Sequence, residues 1–373
     1  MLDTLHVITG FTVGGAEKVL VRLLGVNKGQ QNVAVLSLTG SGPVESELEN
    51  NGIATYSVNF KSNPIFAAFD AFRIIRKLKP LKIQTWLYHA DLIGGVIGKC
   101  AGVPSIFWNV RSTHLYTNKG HLNFIRKILA ILSYVIPEKI IYVSESAKIL
   151  HEKIGYSSGK FAIIENGFEV PTKFMTIEER LDRRAELGIK SDEIVIGGVG
   201  RFCYEKGYDV FLKSLEILYD NNFPDKITVV FAGTNMDKNN EELLKAILSS
   251  KIKIVLLGEQ RNMENIYQIF DIFCLSSRTE AFPNVLCEAM MFKLPCIATD
   301  CGDVSKILSS TQFIATPGDP VDLARIMNCM LLYGQKKRDQ IGLENHMSIL
   351  NNYSIEKMRS LYSELYKNPE RAV

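Results

Sequence analysis

Two glutamates bracket a short apolar helix in the second half of the chain: Glu280 and Glu288, in the phrase Glu280-Ala281-Phe282-Pro283-Asn284-Val285-Leu286-Cys287-Glu288-Ala289-Met290. Pro283 suits the first turn of a helix, where its missing N–H is not needed, so a helix is predicted over 284–292. The start of such a helix leaves backbone N–H groups around Asn284, Val285 and Leu286 unpaired, with the positive end of the helix dipole behind them. That is an anion site. Glu280 lies in front of it, and Glu288 lies about a turn and a half inside the helix. Carboxylates accept hydroxyl protons well. The pattern therefore suits a ligand with phosphate in the middle and hydroxyls at both ends, the form of a nucleotide sugar. The spacing of the two acids alone is common by chance; the full phrase carries more weight.

The elements that must hold these residues can be read around them. The apolar run 269–275 reads as a buried strand entering the phrase, and Ser277 and Thr279 are polar residues of the kind that precede a helix. Upstream, 194–200 reads as a strand ending in a glycine turn, followed by Arg201 and Lys206 and a helix over 209–219. These cations suit a diphosphate; they also fit an ordinary solvated pair, although the glycine turn before them favours a binding role. A dinucleotide fingerprint needs G-x-G-x-x-G/A and an acid at the end of the next strand. Here the last position is Cys203, and the strand 227–231 runs into Ala232-Gly233-Thr234, so nicotinamide and flavin binding are disfavoured. A strand over 252–257 leads to a loop carrying Arg261.

The first half opens on a strand (5–9), a loop from Gly10 to Gly15 and a helix (16–24). The loop lacks the Gly-Lys-Ser/Thr ending of a P-loop. Gly14 and Gly15 allow close approach of backbone to a ligand, or simply make a tight turn. Strands over 33–38, 55–58, 83–87, 105–110 and 140–144 alternate with helical stretches, which implies a parallel sheet covered on both faces. Ligands of such sheets sit beyond the strand ends, where His89, Arg111 and His114 fall. A lone histidine there is more often a structural hydrogen bonder, and the segment holding Arg111 and His114 is the better candidate.

At 373 residues, with 46% hydrophobic and 22% charged residues, the chain can bury a sizeable core and suggests two domains. A net charge of +3 argues against a nucleic-acid partner. The charge is uneven: residues 61–139 hold twelve Lys/Arg against Asp70, Asp91 and Glu138. The stretch 118–137 is basic and strongly apolar, the composition of a helix lying on an anionic membrane or of one facing a core. The odd count of seven cysteines, without C-x-x-C, reads as reduced thiols in a reducing compartment. No apolar run reaches spanning length and no leader precedes the first strand, so a cytoplasmic location is expected, with peripheral contact at the inner membrane face left open.

The phrase from Glu280 to Met290 resembles the signature of the family 4 glycosyltransferases, retaining enzymes of the GT-B fold. Such a fold comprises two Rossmann-like, doubly wound α/β domains facing each other across a cleft. The resemblance extends to the first glycine loop, Asn166-Gly167 as a hinge, Arg201 with Lys206, and the last helix. It implies an N-terminal acceptor domain (1–170), a linker (171–190), a nucleotide-sugar domain (191–352) and a closing helix (353–373) that returns to the first domain. It further implies that Glu280 contacts the donor sugar, with Arg111 or His114 near it. Arg201 and Lys206 would clamp the diphosphate, Gly14 and Gly15 would approach it, and Glu288 would bind the ribose. Arg261, Phe282, Asn284, Val285 and Leu286 complete the expected donor set. No Asp-x-Asp is present, so no metal and no cofactor is expected beyond the donor, a UDP-sugar. The form of the signature looks like bacterial enzymes that extend lipid-linked oligosaccharides for surface polysaccharide. A nucleotide-sugar 2-epimerase of GT-B-like architecture and a non-catalytic sugar-nucleotide binder are the competing readings. The first lacks this glutamate-rich helix, and the second would not need the intact cations and acids.

Overall fold

The computed structural model describes residues 2–12, 14–25, 32–113, 120–220, 226–248, 250–308 and 310–370. His114, one of the expected groups, lies outside the described residues. The chain divides into two units, the first formed by Met1–Gly167 with Ile355–Val373 and the second by Phe168–Ser354.

In the first unit the strands are β1 (Thr4–Ile8), β2 (Val33–Ser37), β3 (Ala54–Ser57), β4 (Lys82–Trp86), β5 (Ser105–Val110), β6 (Lys139–Tyr142) and β7 (Phe161–Ile163). The helices between them are α1 (Gly15–Leu24), α2 (Pro43–Asn50), α3 (Pro64–Leu78), α4 (Tyr88–Cys100), α5 (Gly120–Leu132) and α6 (Glu145–Lys153). The strands make one parallel sheet in the order β3-β2-β1-β4-β5-β6-β7. Val33–Ser37 is buried along its whole length, as a parallel strand covered on both faces must be.

The second unit opens on α7 (Ile177–Glu186) and continues β8 (Ile194–Val199), α8 (Tyr208–Asp220), β9 (Ile227–Ala232), α9 (Glu241–Ile247), β10 (Lys253–Leu256) and α10 (Met263–Tyr267). Then follow β11 (Ile272–Leu275), α11 (Asn284–Met291), β12 (Cys296–Thr299), α12 (Val304–Ile307), β13 (Ile314–Ala315), α13 (Pro320–Leu332) and α14 (Gln335–Asn352). Its sheet is also parallel, in the order β10-β9-β8-β11-β12-β13. A final helix, α15 (Ile355–Lys367), packs Ile355, Met358, Tyr362 and Leu365 into the core of the first unit with Val19, Leu23 and Phe107.

Two features depart from expectation and one bears it out. Residues 171–190, read as a linker with a helical stretch from Ile177 to Leu187, contain that helix as α7, but it is anchored within the second unit. Arg180 and Arg184 donate to the two oxygens of Asp271 at 2.8 Å each, and Asp271 also accepts from the backbone N–H of Val195. α11 starts at Asn284, where the sequence puts it, with Pro283 as its N-cap and no side chain capping it. The 18-residue helix α14 was not anticipated, because its buried face consists of Arg338, Gly342, Asn345 and His346 as well as Ile341 and Ile349.

The two sheets share one consequence. In each, the chain adds strands outward on one side and then crosses to the other, so the order reverses between β1 and β4 and between β8 and β11. Loops leaving two such strands diverge and leave a crevice at their carboxyl ends.

Candidate active site

In the second unit, β8 and β11 flank the reversal and pair Ile196 with Ile272 and Gly197 with Phe273. β8 runs into Gly200, Arg201 and a short 3-10 turn, Tyr204–Lys206; β11 runs into the segment from Ser276 to Pro283. Backbone and side chains stitch the two loops together. The Arg278 N–H donates to Glu205 O at 2.7 Å, and Ser276 Oγ donates to Lys206 O at 2.9 Å. Arg278 donates to Tyr204 O and to Asp209, and its guanidinium lies 4.2 Å from the Tyr204 ring centroid. Gly207 makes the closure possible. Its φ is +64°, and a Cβ there would lie 2.1 Å from Ser276 O.

This framework brings Lys206 to Glu280, Nζ to Oε1 at 2.5 Å, with both side chains mostly buried. Ser277, itself fully buried, donates to the same oxygen at 2.7 Å. A turn and more along α11, Glu288 Oε2 accepts the Tyr267 hydroxyl at 2.8 Å. Tyr267 is fixed by packing against Phe270, Phe273 and Phe292. Arg201 and Arg261 are exposed on the loops after β8 and β10.

The start of α11 is less open than the spacing suggested. Asn284 N–H donates to Phe282 O and Leu286 N–H to Pro283 O, each at 3.0 Å. The turn itself thus takes two of the three expected amides, and the Leu286 side chain is in the core. Phe282, expected at the donor, instead anchors the loop: its ring is buried between Phe168 and Tyr353.

In the first unit the glycine loop after β1 is shaped by Glu17, which sequence reasoning passed over. Glu17 is buried, accepts from Thr12 Oγ1 at 3.2 Å, and burial raises its pKa. A Cβ on Gly14 would lie 2.4 Å from Glu17 Oε2, so the carboxylate folds over this position and would have to move aside for a larger residue. Its signal was an acid two residues into a helix that follows Gly-Gly. Arg111, beyond β5, donates to Asn109 Oδ1 at 3.1 Å and to the Tyr362 hydroxyl at 3.4 Å, and lies over the Trp86 ring. Its Nη2 is buried without a hydrogen-bond partner, and burial lowers its pKa. The structure therefore gathers Lys206, Ser277 and Glu280 at the end of one sheet, sets Glu288 on the helix that follows, and holds Gly14, Gly15 and Arg111 beyond β1 and β5 in the other.

Comparison with known proteins bears on this arrangement. Residues 179–345, nearly all of the second unit, match the family model described as Glycosyl transferases group 1. The second unit is similar to that family over nearly its whole length. The capsular polysaccharide biosynthesis glycosyltransferase CapM of Staphylococcus aureus is 24% identical over 309 residues, 80% of each chain. The UDP-Gal:alpha-D-GlcNAc-diphosphoundecaprenol alpha-1,3-galactosyltransferase of Escherichia coli is 22% identical over 342 residues, 88% of each chain. The crystal structure of HepE from Anabaena in complex with UDP-glucose superposes with a TM-score of 0.85 at 17% identity, covering 99% of this chain and 100% of HepE. The fold is GT-B, and the chain is a glycosyltransferase. Every element of the site described above in the second unit, from Lys206 to Glu288, lies inside the matched glycosyltransferase region.

Proposed function

We propose that this glycosyltransferase moves a sugar from a UDP-sugar to a lipid-linked glycan acceptor in surface-polysaccharide synthesis, with retention of anomeric configuration and without a metal. The observation that carries the reading is the Lys206–Glu280 pair on the two loops that leave the sheet at its reversal point, with Glu288 in the helix that follows. Lys206 and Arg201 bind the diphosphate, with the Val285 amide at the start of α11 in support. Glu288 takes the ribose hydroxyls, Glu280 the donor-sugar hydroxyls, and Arg261 lies toward the base. Gly14, Gly15 and Arg111 of the first unit act at the diphosphate and sugar, with His114 the alternative to Arg111.

The chemistry follows from charge. The bond from the anomeric carbon to the phosphate oxygen breaks, and its electron pair leaves on the diphosphate. The acceptor oxygen bonds to the same face of that carbon, and its proton passes to the departing phosphate oxygen. Fixed cations stabilise the charge that develops on the leaving group. The relatives support the donor and acceptor classes: HepE binds UDP-glucose, and the E. coli enzyme is named for a UDP-galactose donor and a diphosphoundecaprenol acceptor. The seven free cysteines, four of them buried, fit a reducing cytoplasm, and the acceptor class fits peripheral contact with the inner membrane face.

The test is a panel of UDP-hexoses and UDP-N-acetylhexosamines with lipid diphosphate-linked acceptors, with and without EDTA. The expected result is UDP release and an α-linked product from an α-linked donor, unchanged by EDTA. No product with any donor removes the transferase reading. Acceptor-independent conversion of UDP-GlcNAc would instead assign a nucleotide-sugar 2-epimerase.

A further inference from the structure

We propose that the outer surface of α3, α4 and α5 in the first unit is a docking face for an anionic lipid bilayer. A surface helix of a soluble domain normally turns its polar side to water. α5 does not. Phe124, Lys127, Ile131 and Val135 recur at helical spacing along its solvent side and the turn beyond, joined by Tyr134, while Arg126, Leu129, Ala130 and Ser133 are buried behind them. α3 repeats the pattern. Ile65, Phe66 and Phe69 project from its first half, Arg73 and Lys77 from its second, and Ala67, Ala71 and Ile75 hold it to the core. The seven apolar side chains so exposed, from Ile65 to Val135, are each 59–82% accessible, and they lie on the two helices that flank α4 and the turn beyond α5. α4 packs against both α3 and α5 and exposes Val96 and Lys99, so the three helices form one continuous surface.

Charge selects the occupant. Of the three acids within 61–139, Asp91 is fully buried, which leaves Asp70 and Glu138 among the exposed lysines and arginines. A second copy of the chain placed symmetrically on this face would set like charges against each other. Anionic headgroups answer the cations, and the acyl boundary takes the aromatic and aliphatic side chains. No described helix is long and apolar enough to cross a membrane, so the contact is interfacial. The proposal rests on the reading of a membrane-linked acceptor, and it names the surface that brings the enzyme to it.

Vesicle co-sedimentation of the full chain tests it. Phosphatidylglycerol-containing vesicles are expected to bind the protein and pure phosphatidylcholine vesicles to bind it much less. Phe66→Ser with Phe69→Ser, or Ile131→Ser with Val135→Ser, should weaken binding by roughly tenfold. Lys127→Glu with Arg73→Glu should weaken it by at least ~tenfold, and more at low salt. Retained UDP binding in each variant shows that the fold is intact. Equal sedimentation of all variants, or none with any vesicle, overturns the proposal. So does a dimer that the serine variants dissociate while wild type ignores lipid, which assigns the face to a second copy. Transfer to a short-chain, water-soluble acceptor separates the two readings. Transfer without vesicle binding sinks the surface alone, and vesicle binding without transfer sinks the enzymatic reading alone.

Discussion

Lys206 and Glu280 form an ion pair at 2.5 Å across the loops that leave β8 and β11. The cation assigned to the donor diphosphate is thus already matched by the carboxylate assigned to the donor sugar. Binding of UDP-sugar must divide this pair, giving Lys206 a phosphate and Glu280 a hydroxyl. Ser277 keeps Glu280 in place while that exchange occurs, since its bond falls on the same carboxylate oxygen.

The two residues should therefore separate in their effects. Lys206→Ala is expected to weaken UDP by roughly 10–100-fold, the range for a charge-assisted hydrogen bond, and to lose transfer as well. Glu280→Gln should leave UDP affinity within about threefold of wild type, because the lost charge only frees Lys206, while transfer falls by about 100-fold or more. Calorimetry with UDP and a radiolabelled transfer assay read the two quantities. Equal loss of UDP affinity in both variants would refute the division of roles.

Glu288 and Tyr267 offer a second separation. Glu288→Ala should weaken UDP by roughly tenfold or more, and Tyr267→Phe by about fivefold, since it removes one hydrogen bond that orients the carboxylate. Neither variant should change affinity for 2′,3′-dideoxyuridine diphosphate, which lacks the hydroxyls that Glu288 would accept. A loss for both nucleotides would place Glu288 elsewhere.

Asp271 holds α7 to the second unit through Arg180, the buried Arg184 and the Val195 amide. Asp271→Ala leaves the Arg184 charge buried without its carboxylate and should cost about 3–5 kcal/mol. Far-UV circular dichroism in urea reads the loss in the second unit. A cost below about 1 kcal/mol would mean that α7 is held by other contacts.

A pH dependence is expected in the first unit. Burial raises the Asp91 carboxyl to a pKa of about 8, and lowers His6 to about 3 and His151 to about 4. Unfolded carboxylates lose their proton near pH 4, so between about pH 4 and 8 the folded state holds a proton on Asp91 that the unfolded state lacks. That contribution to stability falls as pH rises through this window. The histidines act oppositely, adding stability as pH rises from about 4 to 6.5, where the unfolded state still binds their protons. From about pH 6.5 to 8 Asp91 acts alone among these groups, and stability should decline by up to ~1.4 kcal/mol per pH unit. Asp91→Asn should flatten that decline. Trp86 and Trp108, the two tryptophans of the chain, are both buried in the first unit, so their fluorescence reports its unfolding specifically. A decline that persists in Asp91→Asn would place its origin in another group.

Much of the site was legible because its chemistry is local. Glu280, Pro283 and Glu288 lie within nine consecutive residues, and one short helix sets their relation. Lys206, which the structure pairs with Glu280, sits in the loop that the glycine turn marks. The partners that tune these groups were not legible. Tyr267 reaches Glu288 from another helix, Arg278 pins a loop 74 residues upstream, and Tyr362 meets Arg111 from 251 residues away. Nothing in local pattern marks such pairs. The helix α14 escaped for a different reason. It packs through Gly342 against the Lys293 backbone and through Asn345 donating to Leu294 O, so close approach and hydrogen bonding replace the apolar stripe that periodicity detects.

The order of residues by itself determined two alternating β/α units, the apolar strands of their parallel sheets, and the residue types a phosphorylated sugar requires. These follow from periodicity and side-chain chemistry, which act over a few residues. Only the tertiary structure decided that Lys206 neutralises Glu280, that the turn before α11 satisfies two of its own amides, and that Phe282 is an anchor. Those outcomes depend on where strand order reverses and which loops then meet, and a chain records such long-range geometry in no single stretch.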